Sequence, residues 1–295
     1  MNQKGLFFAL ITALISGVSI FINKYGVAIG NQDIFTFTKN FTVALFLTAI
    51  ILFFKKYLIL KNLTWQQWRR LILIGLIGGS LPFILFFRGL VLTTAAQGAF
   101  LHKTMFVFVA VLAAIFLKEK INKNYLIGGL LLILGNLMVL KSLHFSFGKG
   151  DIFILSAVLL WAIETILSKK ALEELPSEII AWGRMAFGAF FLFCYLAFTH
   201  QLPQLIKTNF NQAQWIIITS IFLFGYVINW YNGLKYLPAS LATIILSLGA
   251  PITTLLTFFA NGQITTKDLF SSSLIISGLL ITLGVRIFTK KYVRA

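Results

Sequence analysis

The sequence is poor in nearly everything that a water-soluble protein keeps on its surface. Only 11% of its 295 residues are charged, against about 25% in an average soluble domain, so too little polar surface exists to cover a globule in water. Acids are scarcer still, with 8 Asp and Glu beside 25 Lys and Arg. The single cysteine, Cys194, excludes a disulfide within the chain and a cysteine metal site. Of the 3 histidines, only His102 falls in an apolar stretch, and neither a His-x-x-x-His pair nor paired aspartates occur. An intramembrane acyl transferase, glycosyl transferase or protease needs a nucleophile with a base, or clustered metal ligands. The sequence offers none of these, so it is not read as an enzyme, and no cofactor or metal is expected.

What is abundant is apolar: 59% hydrophobic residues and a mean hydropathy of +0.91. A membrane-spanning helix takes about 20 mostly apolar residues. Such stretches lie at about 5–24, 34–54, 71–91, 95–117, 124–140, 151–170, 178–198, 213–234, 239–260 and 268–288. The reading is therefore an all-α integral membrane protein with ten transmembrane helices and no soluble domain. Lys4 ahead of an apolar run has the outline of a signal peptide. The run continues to Asn23 and Lys24 without a small-residue cleavage pattern, so the segment is expected to stay.

A net charge of +17 invites a nucleic-acid partner, but its distribution argues against one. Basic residues gather in alternate connectors, as the positive-inside rule describes. One side holds Lys4, the 55–70 connector, Lys118, Lys120, Lys123, Lys169, Lys170, Lys235 and the 286–294 tail; the other holds Lys24, Lys141, Lys149, Lys207 and Lys267. Both termini are thus expected in the cytoplasm, with the chain multi-pass in the cell (inner) membrane, as a monomer or homodimer. Its partners are the lipid bilayer and a small-molecule substrate.

The chain also repeats itself. A shift of 145 places lays Lys4-Gly5 on Lys149-Gly150, Asp33 on Glu178 and Lys39 on Arg184; a shift of 144 lays Gly89-Leu90 on Gly233-Leu234 and Glu119 on Gln263. Two halves, 1–145 and 146–295, each hold five helices. An odd number makes the second half enter the membrane from the opposite face, giving two inverted five-helix repeats. Secondary transporters are commonly built this way, with the substrate near the midplane between the halves.

The residues that recur resemble the EamA-type unit of the drug/metabolite transporter superfamily. They are the basic residue six places after an acidic turn (Lys39, Arg184), the small-residue openings Thr94-Ala95-Ala96 and Pro238-Ala239-Ser240, and Leu-Lys-Glu-Lys at 117–120. The glycines that follow (Gly128, Gly129 and Gly135; Gly278 and Gly284) complete the set. Two departures are Asn261-Gly262-Gln263, where the family usually places a glutamate, and His102-Lys103, where many relatives are apolar. The resemblance implies a transporter, exporting more often than importing.

Charged residues inside apolar stretches locate the candidate site. A charge at mid-bilayer costs about 2.5–3.5 kcal/mol on insertion scales, so Lys39, Arg88, Lys103, Glu164 and Arg184 must face protein, water or the interface. Lys103 lies about eight residues into its helix, roughly 12 Å deep at about 1.5 Å per residue, with Ala96 and Ala99 on its face. It reads either as a contact for a substrate carboxylate or phosphate, or as a structural lysine on a backbone carbonyl or Glu164. Its repeat partner, Ser247, shares a polar face with Ser240, Thr243 and Thr254. His102 has the titration range for proton coupling or an ordinary structural role. Lys39 and Arg184 read as gate ion pairs, snorkelling cations or substrate contacts, and Arg88 as snorkelling at the outer end.

Ser16, Ser19 and Asn23 form one stripe, matched at 145 places by Trp161, Glu164 and Ser168; Tyr226, Asn229, Trp230 and Gly233 form another. Both suggest cavity walls. Gly75 and Gly79 are spaced for close helix approach, and Pro82 and Pro251 for interrupted helices. Buried cations outnumber the one buried acid, so the expected cargo is a small anionic or zwitterionic metabolite such as an amino acid, moved by alternating access. The alternative is a proton-coupled exporter of cationic or lipophilic compounds using Glu164. Small multidrug resistance proteins use a carboxylate in their first helix, where this chain has no acid.

Overall fold

The computed structural model describes residues 2–93, 95–139, 147–261 and 266–292, with the backbone alone for 24, 95–97, 99, 139, 257, 261, 268 and 285–292. Thr94, Lys141, Gly262, Gln263 and Arg294 lie outside the described residues. So do the side chains of Lys24, Ala95, Ala96, Ala99, Asn261, Arg286, Lys290 and Lys291.

Among the described residues the chain is helix and connector, without strand. In order come α1 (Gln3–Val27), α2 (Gln32–Phe53), the short α3 (Tyr57–Lys61) and α4 (Trp65–Ile74), which runs through a π-helical turn (Gly75–Ser80) into α5 (Leu81–Leu92). Next are α6 (Ala95–Lys103), α7 (Met105–Phe116), α8 (Lys123–Val139), α9 (Lys149–Ala171) and α10 (Ser177–Phe198). After a 3-10 turn follow α11 (Phe210–Tyr236), α12 (Ala239–Leu246), α13 (Gly249–Asn261) and α14 (Thr266–Tyr292). Seven helical stretches are long and apolar enough to cross a membrane, and three shorter apolar ones cover Phe100–Phe116, Lys123–Met138 and Leu269–Gly284.

Local chemistry sets the starts. Asn2 and Asn31 accept the first free N–H groups of α1 and α2, at 3.0 and 2.8 Å. Thr64 with Gln67, and Asn209 with Gln212, close reciprocal caps on α4 and α11. The N-terminus of α12 is capped from a distance: Glu119 accepts from Ala239 N at 2.6 Å, Ser240 N at 3.2 Å and Ser240 Oγ at 2.5 Å. At the far end of α11, Lys169 Nζ donates to the carbonyls of Leu234 (2.7 Å) and Leu237 (2.8 Å), where the helix leaves acceptors unpaired.

Two stretches expected as single helices, 95–117 and 239–260, are broken. Near Thr104 and at Ser247–Leu248 the bonding tightens to one residue shorter, as in Val107 N to Thr104 O (2.9 Å) and Ser247 N to Ile244 O (3.1 Å). Pro251 sits in the first turn of α13, where its missing N–H costs nothing, so the break precedes it. Pro82 likewise opens α5 just after the π turn.

The two sequence halves pack reciprocally. α1 lies against α11, α12 and α13, while α9 lies against α5, α6 and α7; α2 pairs with α10 and α8 with α14. Close approach depends on glycine at several crossings, two of which show it directly. A Cβ on Gly188 would stand 2.6 Å from the Gly79 carbonyl, and one on Gly278 would stand 2.6 Å from the Gly128 carbonyl. Gly75 faces α10 in the same way through Phe187.

Candidate functional site

A cavity of about 360 Å3 lies among α1, α2, α5, α9, α10, α11 and the α6–α7 junction. Most of its wall is apolar, with Phe83, Phe86, Phe87, Trp161 and Trp230 as the large rings. Polar groups enter from nearly every element: Ser16, Ser19 and Asn23 from α1, Lys39 from α2, His102 from α6, Glu164 from α9, Arg184 from α10 and Tyr226 from α11. The i, i+3, i+7 stripe of α1 therefore faces one space, as its spacing predicts.

The two cations in this wall are held differently. Lys39 is 3% exposed. Its Nζ donates to Asn23 Oδ1 at 2.7 Å and stands 5.6 Å from the ring centre of Phe35 and 6.0 Å from that of Phe87. Among the described residues no carboxylate comes within 4.0 Å of it. Arg184 has an acid, with Nη1 at 3.8 Å from Glu164 Oε2. Glu164 is further fixed through Oε1, which accepts from Ser168 Oγ and Tyr231 OH, each at 2.5 Å.

The π turn supplies what else this corner needs. The Gly78 carbonyl looks four residues on to Pro82, which has no N–H to give an α-helical bond. It accepts instead from Arg184 Nε at 3.2 Å and Trp161 Nε1 at 3.1 Å. Its neighbour, the Gly79 carbonyl, accepts from Asn40 Nδ2 at 2.9 Å. One distorted turn thus positions a cation and an indole on the cavity wall, a use typical of π bulges.

His102 and Trp161 meet Phe86 in a three-ring corner: His102 to Phe86 and His102 to Trp161 are both 5.4 Å between centres, and Phe86 to Trp161 is 5.5 Å. His102 Nδ1 and Ser19 Oγ are buried and lack a hydrogen-bond partner among the described residues.

Of the residues singled out in the sequence, Ser19, Asn23, Lys39, His102, Trp161, Glu164, Arg184 and Trp230 come together on this wall. Lys103, Asn229, Ser247 and Arg88 do not. Lys103 is not itself in the lining; its Nζ donates to Ser16 Oγ (3.4 Å), which is, and to the Leu246 carbonyl (3.5 Å) beside the break between α12 and α13. Asn229 bonds back to Gly225 O at 2.7 Å and Ser247 to Thr243 O at 3.4 Å. Arg88 pairs with Asp33 at 3.1 Å and donates to the Tyr195 hydroxyl. Asp33 also accepts from Tyr195 OH at 3.0 Å and from Gln201 Nε2 at 3.2 Å. Sequence reasoning missed Tyr231, Thr165 and the Phe83–Phe87 wall.

Membrane-length helices around a partly polar cavity are the architecture of a multi-pass membrane protein. The chain belongs to the EamA-like transporter family, which it matches over residues 3–141 and again over 148–284. It is 27% identical to the transporter YyaM of Bacillus subtilis, over 72% of each chain. A transporter of Archaeoglobus fulgidus is 26% identical over 99% of both. The riboflavin transporter ImpX of Fusobacterium nucleatum is 24% identical over 65% of this chain and 66% of its own. One crystal structure has the same fold, with a TM-score of 0.79 at 15% identity over 97% of this chain and 99% of that one.

Proposed function

We propose that the protein is a secondary transporter exporting a small anionic or zwitterionic metabolite, such as an amino acid, across the cell (inner) membrane by alternating access. The observation that carries this is Lys39, a buried ammonium on the cavity wall that no carboxylate among the described residues neutralises. Leaving a cation buried and unpaired costs several kcal/mol, about what an incoming carboxylate can recover. Ten spans, two inverted halves at 1–145 and 146–295, and both termini inside complete the proposal. The reciprocal packing of α1 and α9 supports that arrangement, as does the double family match.

Substrate contacts are assigned to Lys39, Asn23, Ser19, His102, Trp161 and Trp230, and a structural ion pair to Arg184 and Glu164. Export of a cation through Glu164 is the weaker reading, because both of its oxygens are already engaged. The aromatic wall also suits a flat solute of the kind named for the ImpX relative, although riboflavin has no carboxylate for Lys39. The test is uptake into proteoliposomes. Saturable uptake with counterflow is expected, and it should be lost in Lys39→Met. Non-saturable flux without counterflow rejects the carrier, and wild-type anion uptake by Lys39→Met rejects the anion seat.

A further inference from the structure

The corner of the cavity opposite in chemistry to Lys39 carries a demand that an anionic head alone does not meet. His102 Nδ1 and Ser19 Oγ are both buried, both on the wall and both unpartnered among the described residues. Buried polar atoms in folded proteins are nearly always hydrogen-bonded, and imidazole nitrogen and hydroxyl can each give or take a proton according to what faces them. His102 is also one side of the three-ring corner with Phe86 and Trp161, whose planes meet at 55 to 77°. Rings set at such angles leave edges and faces for another ring to pack against, edge-to-face or offset. Aromatic rings and residues with unpartnered polar atoms therefore line the same cavity.

We propose that the transported solute is a heteroaromatic acid, a carboxylate attached to a planar ring that bears a nitrogen. Its carboxylate sits on Lys39 and Asn23, its ring in the corner of Phe86, Trp161 and His102, and its ring nitrogen within reach of His102 Nδ1 and Ser19 Oγ. An aliphatic acid would satisfy Lys39 but leave the ring corner unfilled. A carbocyclic aromatic acid would fill the corner but leave both polar atoms unpaired. A volume of about 360 Å3 lies at the small end of known ligand pockets, roughly 300–1,000 Å3, which suits one ring or two fused rings with a short acid arm. This assignment rests on the anionic-solute reading above and narrows it.

The test is binding to the purified full-length protein, by competition among matched probes. Nicotinate is set against benzoate, indole carboxylate against naphthoate, cyclohexanecarboxylate against benzoate, and nicotinamide against nicotinate. At least one nitrogen-bearing ring acid should bind about tenfold more tightly than its carbocyclic match, the value of one good hydrogen bond. Cyclohexanecarboxylate should be weaker than benzoate and nicotinamide weaker than nicotinate. His102→Phe keeps a ring in the corner but removes Nδ1, so the preference for nitrogen over the carbocyclic match should vanish; Ser19→Ala should reduce the same preference.

Equal binding within both nitrogen pairs overturns the proposal, and so does failure of every acid to bind. If cyclohexanecarboxylate equals the ring acids while Lys39→Met abolishes them all, the ring falls and the anion reading stands. If nicotinamide binds as tightly as nicotinate, the anion reading itself falls. The wild-type comparisons decide the matter even where a variant does not fold.

Discussion

Lys39 and Glu164 are both buried in the same wall, and their partners make opposite demands on a substitution. Lys39 has one amide oxygen and two ring faces but, among the described residues, no acid. Replacing it with methionine keeps the stem and removes the uncompensated charge, a change that is often neutral or stabilising at buried sites. Lys39→Met is therefore expected to melt in detergent as high as the wild type or higher while losing anion binding; early melting would make Lys39 structural. Glu164→Ala strands Arg184 without its acid and should cost about 3–5 kcal/mol. Glu164→Gln keeps an acceptor for Ser168 and Tyr231 and should recover part of that, which paired thermal melts will show. These residues were legible because a charge in an apolar helix is rare. Phe83, Phe86 and Phe87 were not, since 31 phenylalanines carry no positional signal. Lys103 was legible as a buried cation with two readings, a substrate contact or a lysine on a backbone carbonyl, and its Nζ stands 3.5 Å from the Leu246 carbonyl.

Elements are held by glycine crossings and by caps reached from far away in sequence, and each gives a separable expectation. At the α10 crossing, Gly188→Ala would push a methyl to 2.6 Å from a backbone carbonyl that has no room to retreat. Overpacking of this kind costs about 1–3 kcal/mol or more, to be read as a lower melting temperature with the cavity residues untouched. Glu119→Ala removes the acceptor for two N–H groups of α12 and should cost about 0.5–2 kcal/mol. Faster amide exchange confined to the first turn of α12 would mark the loss as local. In the connector after α9, Arg70 (2.5 Å) and Gln67 (3.3 Å) hold the exposed Glu174 carboxyl below its ordinary range. A depressed carboxylate favours the folded form above its unfolded pKa and loses that contribution as pH falls through the lowered value, so Arg70→Ala should lower stability slightly at neutral pH, leave it unchanged below the lowered value, and thereby flatten the acid side of a stability profile. The sequence located the apolar stretches well because composition alone marks them. It named Pro82 and Pro251 as interruptions, and each follows an irregular turn within four residues, the Gly78 carbonyl being the one that Pro82 leaves free; nothing in it announced the break at Thr104.

Over the whole molecule, the sequence repeat implies an odd number of crossings per half, and this can be tested without knowing the solute. α1 and α9 begin at repeat-related residues, Lys4-Gly5 and Lys149-Gly150, and each nests among helices of the other half. If five crossings separate them, the two starts lie on opposite faces of the membrane. Cys194 is the only cysteine and is exposed, so Cys194→Ser gives a clean background for labelling. Into it, Asn2→Cys and Phe147→Cys place single thiols just before α1 and α9, both at exposed positions. In intact cells a membrane-impermeant maleimide should label Phe147→Cys directly and Asn2→Cys only after permeabilisation, given the excess of Lys and Arg on the N-terminal side. Labelling of both from one face requires an even number of crossings between them. That result would remove the inverted repeat, and with it the reason for placing the solute between two related halves, while leaving the cavity and its cations where they are.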